Sequence, residues 1–383
     1  MPEIHELLTQ NEKLAREVLA ASADRVDRER EFPRENLEAL GRSGVLGLLI
    51  PTQYGGAGGS IAEMSQVVER MGQSCASTAM VVLMHYCGTA VIMAKGSASL
   101  KESLLPLIAQ GRHLTTLAFS EPGSGGHFYF PVSEVQNVDG EKRLSARKSF
   151  VTSAGEADSY VVSARPAWAS LPNQVNLYLL SKGTPGFTVE KPFEGMGLAG
   201  NASAAMRLAE VPLEDKNLLG EEGSGFQTML EVVLPHFQIG VASISLGIAS
   251  AAMERTKEHV LARKYEHAAD NPTLAQLPRV QFLIAEMALE LRSARAYLEG
   301  TIRRIAANDP EAMLDVLGIK ARAAEACQSV VSRAMMLGGG KAFGQRGGLE
   351  RMFRDTQAAA VMAPSADVLK DFLGKACLGL ALF

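Results

Sequence analysis

Cysteine is scarce in this chain of 383 residues, and its placement restricts the chemistry that the chain can perform. The four cysteines are Cys75, Cys87, Cys327 and Cys377. They lie far apart and no two of them form a Cys-x-x-Cys pair, which argues against zinc, an iron–sulfur cluster or a disulfide framework. We therefore predict reduced thiols in the core and no metal site.

Long runs of charge of one sign are also lacking. The chain has 38 basic and 42 acidic residues, and neither sign is clustered. Because nucleic acids and anionic membranes select basic patches, neither is an expected partner. The balance of charge favours a small-molecule substrate.

The sequence contains no segment that we interpret as a secretory signal or a membrane span. Charged residues are scattered among the apolar ones at the N-terminus, which is not the pattern of a signal peptide. The most apolar stretch, Ala79 to Ala94, is shorter than a bilayer span and is interrupted by His85, so it predicts a buried helix. We therefore expect a cytoplasmic protein.

The patterns that are present change twice along the chain and predict three domains. Residues 1–115 show the apolar spacing of helices, interrupted by a Gly-rich loop at Ile50–Gly59. Residues 116–222 contain short β-rich runs, two of which flank an Asp139-Gly140 turn that predicts a hairpin. Helical spacing returns over residues 223–383.

One long helix of the third domain has a distinct apolar face. Phe282, Ala285, Leu289 and Ala296 recur at helical spacing and mark it. The complete order is therefore a helical domain, a β domain and a second helical domain, which is an α+β multidomain class.

Five segments, in order along nearly the whole chain, resemble the acyl-CoA dehydrogenase superfamily. They begin at Leu46, Ala118, Lys148, Gly195 and Leu337 and read LGLLIPTQYGGAGGS, AFSEPGSGG, KSFVTSAGEADSYVVSA, GMGLAGNASAAMRLAEVPLEDKNLLGEEGSGF and LGGGKAFGQRGGLERMFRD. One short motif can match by chance, but five in the same order identify the chain as a member. The resemblance implies an N-terminal helical domain, a β-barrel-like middle domain and a C-terminal four-helix bundle.

The resemblance also implies FAD as cofactor. Ser120 matches the family threonine that hydrogen-bonds the flavin, while Phe150 and Thr152 match an aromatic residue and a threonine on the neighbouring strand. A loop of serine and glycine suits this role because glycine lets the backbone approach a planar ring. The other cofactor contacts that the resemblance implies are Arg263 at the pyrophosphate, Gly338 and Gly339 from a second subunit, and Ser365 and Asp367 beside the flavin. Shared sites imply a homo-oligomer, a dimer or a tetramer.

The catalytic position departs from the family pattern. Most relatives use a glutamate to remove the proton α to the thioester, and the matching residue here is Ala363, which cannot accept a proton. A minority of relatives carry the base on the first helix after the β domain, and counting from Gly225-Phe226 places His236 there. Its ordinary pKa near neutrality suits a base, although a single helix histidine is more often structural.

Two substrate contacts are implied by the resemblance. His85 lies on the helix that lines the acyl pocket in relatives, although packing in the core explains a histidine there equally well. Gly126 replaces the family serine that touches the acyl-CoA tail.

Three functions therefore stay open at this point. The first is an acyl-CoA dehydrogenase with an unusual base, for which an electron-transferring flavoprotein is the family's usual acceptor. The second is a flavin-dependent monooxygenase or oxidase, because oxygen activation does not need the glutamate. The third is a noncatalytic relative that binds flavin or acyl-CoA.

Overall fold

The computed structural model describes residues 4–268, 270–345 and 347–382, beginning with a set of packed helices. These helices are α1 (Ile4–Leu14), α2 (Ala20–Arg28), α3 (Arg34–Arg42), α4 (Ile61–Ser74), α5 (Ala76–Lys95) and α6 (Ala98–Ala109). Helix α4 begins at a capping box, in which Ser60 Oγ accepts a hydrogen bond from Ala62 N and Ser60 N donates one to Glu63 Oε2.

Helix α5 is a core helix. Nearly all of its residues are buried, so its sequence is apolar around the whole circumference instead of along one stripe. Among the described residues, two helical segments are long and apolar enough to span a membrane, α5 and Gly225–Ala262, and both lie mostly in the protein interior. The buried helix predicted over Ala79 to Ala94 is part of α5.

The middle of the chain forms two sheets. Its strands are β1 (Thr115–Ala118), β2 (Val135–Val138), β3 (Glu141–Val151), β4 (Ser159–Ala164), β5 (Asn176–Ser181), β6 (Phe187–Pro192) and β7 (Ala204–Leu213). One sheet has the order β1-β4-β5 and the other the order β2-β3-β7-β6. Buried residues of both sheets, such as Tyr160 and Met206, share a second core that is separate from the helical one.

The predicted hairpin joins β2 to β3. Val138 pairs with Glu141, and the two residues between them, Asp139 and Gly140, have φ values of 51° and 85°. Positive φ at both central positions is the requirement of a type I′ turn, which explains the Asp-Gly sequence.

The last part of the chain is helical again. Its helices are α7 (Gly225–Thr228), α8 (Leu234–Ala262), α9 (Pro278–Ala306), α10 (Ala312–Phe343), α11 (Leu349–Val361) and α12 (Ala366–Cys377). Helices α8, α9 and α10 pack against one another, and α11 and α12 pack against α10. A π-helical turn, Met229–Val233, joins α7 to α8.

The apolar face that the sequence marks on α9 is not the face that packs into this chain. Phe282 is 57% exposed and Leu289 is 70% exposed, whereas Val280, Leu283 and Met287 are buried. The helix therefore has apolar residues on both sides, and one side is uncovered in the single chain.

A fully buried ion pair joins the loop after β1 to strand β3. Lys148 Nζ donates to Glu121 Oε1 at 2.5 Å and to the carbonyl oxygen of Ser163 at 2.6 Å. Glu121 Oε2 also accepts from the backbone N–H groups of Val132 and Ser133. Burial opposes ionisation of Glu121, but Lys148 and Ser133 outweigh it and lower the pKa of the carboxyl.

Replacing Lys148 with methionine should destabilise the protein by about 3–5 kcal/mol, because it leaves the Glu121 carboxylate buried without its counter-charge. Urea unfolding followed by circular dichroism measures the change. The matched control is Lys370→Met, which removes a lysine from an exposed pair with Glu325 and should change stability little. Equal effects of the two substitutions would contradict the importance assigned to the buried pair.

Candidate functional site

A cavity of about 1120 Å³ lies where the three parts of the chain meet. Its walls come from α5, from the loop after β1, from β3, from α8 and from the segment that connects α11 to α12. Of the residues predicted from the sequence, Ser120, Gly126, Phe150, Thr152, Ala363 and Ser365 line it. The fold therefore brings residues more than 240 positions apart to one site.

One part of the wall is polar and is held by hydrogen bonds to backbone carbonyls. Ser149 N donates to Ser120 O at 2.8 Å, which joins the loop to β3. Thr116 Oγ1 donates to Thr152 O at 3.0 Å, which fixes the end of β3 against β1. The side-chain hydroxyls of Ser120, Ser149 and Thr152 belong to residues that line the cavity.

Phe150 lies beside these hydroxyl-bearing residues with its ring uncovered. The residue has φ of 54°, is 63% exposed and packs edge-on against Phe193. A large exposed aromatic ring next to several hydroxyl groups matches a planar aromatic ligand with polar edges. These residues therefore fit the isoalloxazine ring of FAD.

Another part of the wall is apolar. Met80 and Met84 of α5 and Val233 and Phe237 near the start of α8 line it, together with Ala363. Methionine fills irregular space and adapts to different chains, so this surface suits an acyl group. Both methionines belong to the core helix α5 and also reach the cavity.

The cavity has carboxylates, but two of them are already engaged. Glu121 is paired with Lys148, and Glu190 accepts hydrogen bonds from Arg147 at 2.7 and 2.8 Å. Glu194 is exposed. Among the described residues that line the cavity there is no histidine, and Ala363, which the resemblance matches to the family glutamate, contributes only a methyl group.

His85 does not line the cavity. It is fully buried, its Nδ1 accepts a hydrogen bond from Thr115 N, and its Nε2 lies 3.2 Å from Leu46 O. Burial is the main reason that its pKa is lowered to about 4, so the ring is neutral. Its hydrogen bonds join α5 to β1 and to the segment before α4.

His236 also lies outside the residues that line the cavity, although its neighbour Phe237 lines it. Its Nδ1 donates to Val232 O at 2.7 Å, and burial lowers its pKa. The π-helical turn Met229–Val233 lies between Gly225-Phe226 and His236. Such a turn inserts one residue, which rotates later positions by about 100° relative to a regular helix.

Four other predicted cofactor residues lie away from the cavity in the single chain. Arg263 follows the end of α8 and is exposed, and Asp367 is exposed in the first turn of α12. Gly338 and Gly339 lie within α10, and Gly339 interrupts its helical geometry with φ of 52°. Apart from the adjoining helix backbone, no atom of the described residues lies within 4 Å of a Cβ placed on Gly339, so another chain has room to approach.

Lys320 of α10 is a functional candidate that the sequence analysis did not identify. It is fully buried, and its Nζ donates to the carbonyl oxygens of Met362 and Pro364, each at 2.6 Å. Those two carbonyls flank Ala363 in sequence. A lysine within an otherwise apolar helical pattern is the only sequence signal, and its partners are tertiary.

The comparison with known protein families agrees with this architecture. The models of the acyl-CoA dehydrogenase N-terminal, middle and C-terminal domains match residues 1–112, 116–211 and 223–378. The structure of butyryl-CoA dehydrogenase from Megasphaera elsdenii has a TM-score of 0.91 at 25% identity, with 99% of both chains covered.

Curated relatives are similar over nearly their full length. Acryloyl-CoA reductase (NADH) of Anaerotignum propionicum is 29% identical, over 94% of this chain and 91% of the relative. Cyclohex-1-ene-1-carbonyl-CoA dehydrogenase of Syntrophus aciditrophicus (strain SB) is 27% identical, over 97% and 91%.

A helical, β and helical fold around this cavity defines a FAD-dependent oxidoreductase, and members of the matching family bind FAD. The chain belongs to the acyl-CoA dehydrogenase superfamily.

The stability of the protein should rise with pH because of Lys320. Burial lowers the pKa of Lys320 from 10.5 to about 7. Between these values the unfolded chain binds the proton more strongly than the folded chain, so raising the pH favours folding, by up to about 1.4 kcal/mol per pH unit.

Urea unfolding of the wild type and of Lys320→Met across this pH range measures the slope. We expect the substitution to remove the contribution and the control Lys370→Met to retain it. A wild-type slope that survives in Lys320→Met would show that another group causes it.

Proposed function

We propose that this protein oxidises or reduces the Cα–Cβ bond of an acyl thioester with FAD, and that it does so without a side-chain base at position 363. The observation that carries the proposal is the shared cavity, in which flavin-type polar residues and an apolar methionine-rich surface line one space. The named relatives act on CoA thioesters, which supports the thioester class.

The residues that line the cavity form two groups, one for the cofactor and one for the acyl thioester. Ser120 and Thr152 offer hydroxyl groups to the polar edge of the cofactor, and Phe150 offers an aromatic surface to its ring. Met80, Met84 and Phe237 surround the acyl chain and exclude water from it. Bound FAD supplies the acceptor, or in the reverse direction the donor, of a hydride at Cβ.

The test measures the flavin absorbance of the purified protein after anaerobic mixing with acyl-CoAs. The panel contains straight-chain acyl-CoAs, branched acyl-CoAs and acyl-CoAs whose α-proton is more acidic. Bleaching by any of them supports the proposal. Flavin that stays oxidised with every thioester would contradict oxidation of the thioester. Reaction of reduced flavin with unsaturated acyl-CoAs then tests the reverse direction.

Ala363→Glu should increase the rate of flavin reduction by butyryl-CoA by about 100-fold or more, since a positioned general base typically contributes that factor. The substitution places a carboxylate on the wall of the cavity, at a half-buried position. Stopped-flow absorbance measures the rate. Ala363→Gln has the same shape without a base, so an equal acceleration by glutamine would count against the explanation.

His236→Gln should leave the rate of flavin reduction within about threefold of the wild type. The ring is hydrogen-bonded to Val232 and does not line the cavity. The same stopped-flow measurement applies, with FAD content as the control for folding. A loss of about 100-fold or more would identify His236 as the base after all.

A second candidate function is that of a flavin-dependent oxidase or monooxygenase. Ala363 favours it, because such chemistry does not require a carboxylate aimed at an α-proton. Rapid reaction of the reduced protein with oxygen, stimulated by substrate, would distinguish it from a dehydrogenase.

The assembly and location of the protein are part of the same proposal. The exposed Phe282 and Leu289 of α9 and the open approach to Gly339 support a homo-oligomer, a dimer or a tetramer. An electron-transferring flavoprotein is the proposed partner for a dehydrogenase, and the cytoplasm is the proposed location.

A further inference from the structure

One segment of the cavity wall, residues 195–199, is attached to helix α11 on the side that faces away from the cavity. All of its residues line the cavity, and the segment belongs to the connection between β6 and β7. Leu198 N donates a hydrogen bond to Asp355 Oδ1 at 2.7 Å, and Arg354 Nη1 donates one to Met196 O at 2.8 Å. Two consecutive residues of α11 therefore hold two positions of the wall.

The segment and the helix lie very close together because of a glycine. A Cβ placed on Gly197 would lie 2.4 Å from the carbonyl oxygen of Arg354 and 2.9 Å from Asp355 Cα, so no larger residue fits without moving the segment. The next residue, Leu198, has φ of 52°, which is a left-handed conformation that leucine rarely adopts. Such a conformation persists only where the surroundings impose it, and the hydrogen bond to Asp355 is one such constraint.

The same segment adjoins the aromatic part of the site. A Cβ placed on Gly195 would lie 2.7 Å from Cε1 of Phe193, and the Phe193 ring packs edge-on against Phe150 with 5.1 Å between the ring centres. Phe150 offers its ring to the isoalloxazine of FAD. A displacement of residues 195–199 would therefore reach the surface that the cofactor contacts. Asp355 does not itself line the cavity, so it acts on the cofactor through this segment.

Asp355 is buried, and its ionisation depends on several opposing influences. Burial raises the pKa of the carboxyl to about 6, and the hydrogen bond from Leu198 N opposes this increase. Among the described residues, the titratable side chains that act on it or respond to it come from α2, from the position before α5, from α10 and from α11: Asp27, Cys75, Cys327, Arg351 and Arg354. Asp27 raises the pKa of Asp355 further, and the two arginines lower it.

The ionised carboxylate does not stabilise the folded chain. Because its folded pKa of about 6 lies above the ordinary value of 3.8, the folded chain binds this proton more strongly than the unfolded chain does. The contribution of Asp355 to stability therefore falls as the pH rises from 3.8 to about 6, and it stays low at higher pH. Stability does not explain the carboxylate, whereas the hydrogen bond to Leu198 N gives it a positioning role.

We propose that Asp355 is a positioning residue for FAD, whose ionised carboxylate holds residues 195–199 in the shape that the cofactor requires. A carboxylate accepts a stronger hydrogen bond than a neutral carboxyl group. Protonation would also give Asp355 an O–H donor, for which the neighbouring arginines offer no acceptor. Protonation therefore loosens the wall and weakens the binding of FAD. The inference concerns FAD alone and does not depend on the acyl thioester.

The experiment follows the release of FAD when the FAD-loaded protein is diluted at different pH values, from the fluorescence of the free flavin. In the wild type we expect a constant dissociation constant above about pH 7 and a rise of about five- to tenfold by about pH 5, beginning near the pKa of about 6. The rise is limited because about a tenth of the carboxyls are still ionised at that pH. Circular dichroism at each pH checks that the protein remains folded.

Asp355→Asn keeps the shape of the side chain and removes the charge. Its dissociation constant for FAD should not depend on pH over this range and should resemble that of the wild type at low pH. Asp24→Asn is the matched control, because Asp24 is an exposed carboxylate that pairs with Arg351 and makes no hydrogen bond to the wall. This control should retain the pH dependence of the wild type.

Gly197→Ala tests the segment without changing any charge. The added methyl group would push the segment away from α11, so we expect FAD to bind about tenfold more weakly at about pH 7.5, where Asp355 is ionised. Gly374→Ala is its control, because Gly374 is exposed on α12 and a Cβ there meets open space. It should bind FAD as the wild type does.

The wild-type profile can overturn the inference by itself. A dissociation constant that does not change between about pH 5 and about pH 8 would do so, and so would an equal change in Asp355→Asn. If the asparagine variant does not fold, the wild-type profile and Gly197→Ala decide together, and wild-type affinity in Gly197→Ala counts against the role of the segment. None of these measurements uses a thioester, so the proposed function can fail while this inference stands.

Discussion

The candidate site depends on the buried ion pair between Lys148 and Glu121. Lys148 belongs to β3, and Glu121 belongs to the loop that carries Ser120. A buried ion pair is stable only when further hydrogen bonds satisfy both partners, and Ser163 on one side and the backbone at Ser133 on the other supply them. The pair therefore fixes loop and strand relative to each other, so that their hydroxyl groups face the same cavity.

The helical part of the protein forms the other half of the site, and different interactions hold it in place. Helices α8, α10 and the segment after α11 pack through apolar contacts, and the segment itself is held by a single buried lysine. An apolar interface allows many substitutions of similar volume, whereas two short hydrogen bonds to specific carbonyls define one backbone path. These two hydrogen bonds therefore define the backbone position of Ala363, although its small side chain makes few contacts of its own.

The two buried lysines have contrasting electrostatic consequences. Lys148 is neutralised locally, so its influence ends at the loop that it holds. Lys320 is bonded only to neutral carbonyls, and burial lowers its pKa to about 7, so the folded protein holds this proton weakly.

Much of the architecture follows from the sequence itself. The hairpin at Asp139-Gly140, the buried helix at Ala79 to Ala94 and the order of helical and β segments depend on local signals: turn residues, apolar runs and the period of the pattern. The motif segments also indicated the loop residue Ser120 and the strand residues Phe150 and Thr152, which line the cavity.

Only the tertiary structure determined which residues face the cavity and which distant groups bind them. The π-helical turn before α8 changes the rotation of every later residue relative to a regular helix, so the sequence pattern alone did not define which residues of α8 face the cavity. His85 is engaged by partners far away in sequence, and the carbonyls that bind Lys320 are more than 40 residues from it. Sequence patterns report what a residue is and what its near neighbours are, whereas burial and charge compensation depend on which distant groups the fold brings within a few ångströms.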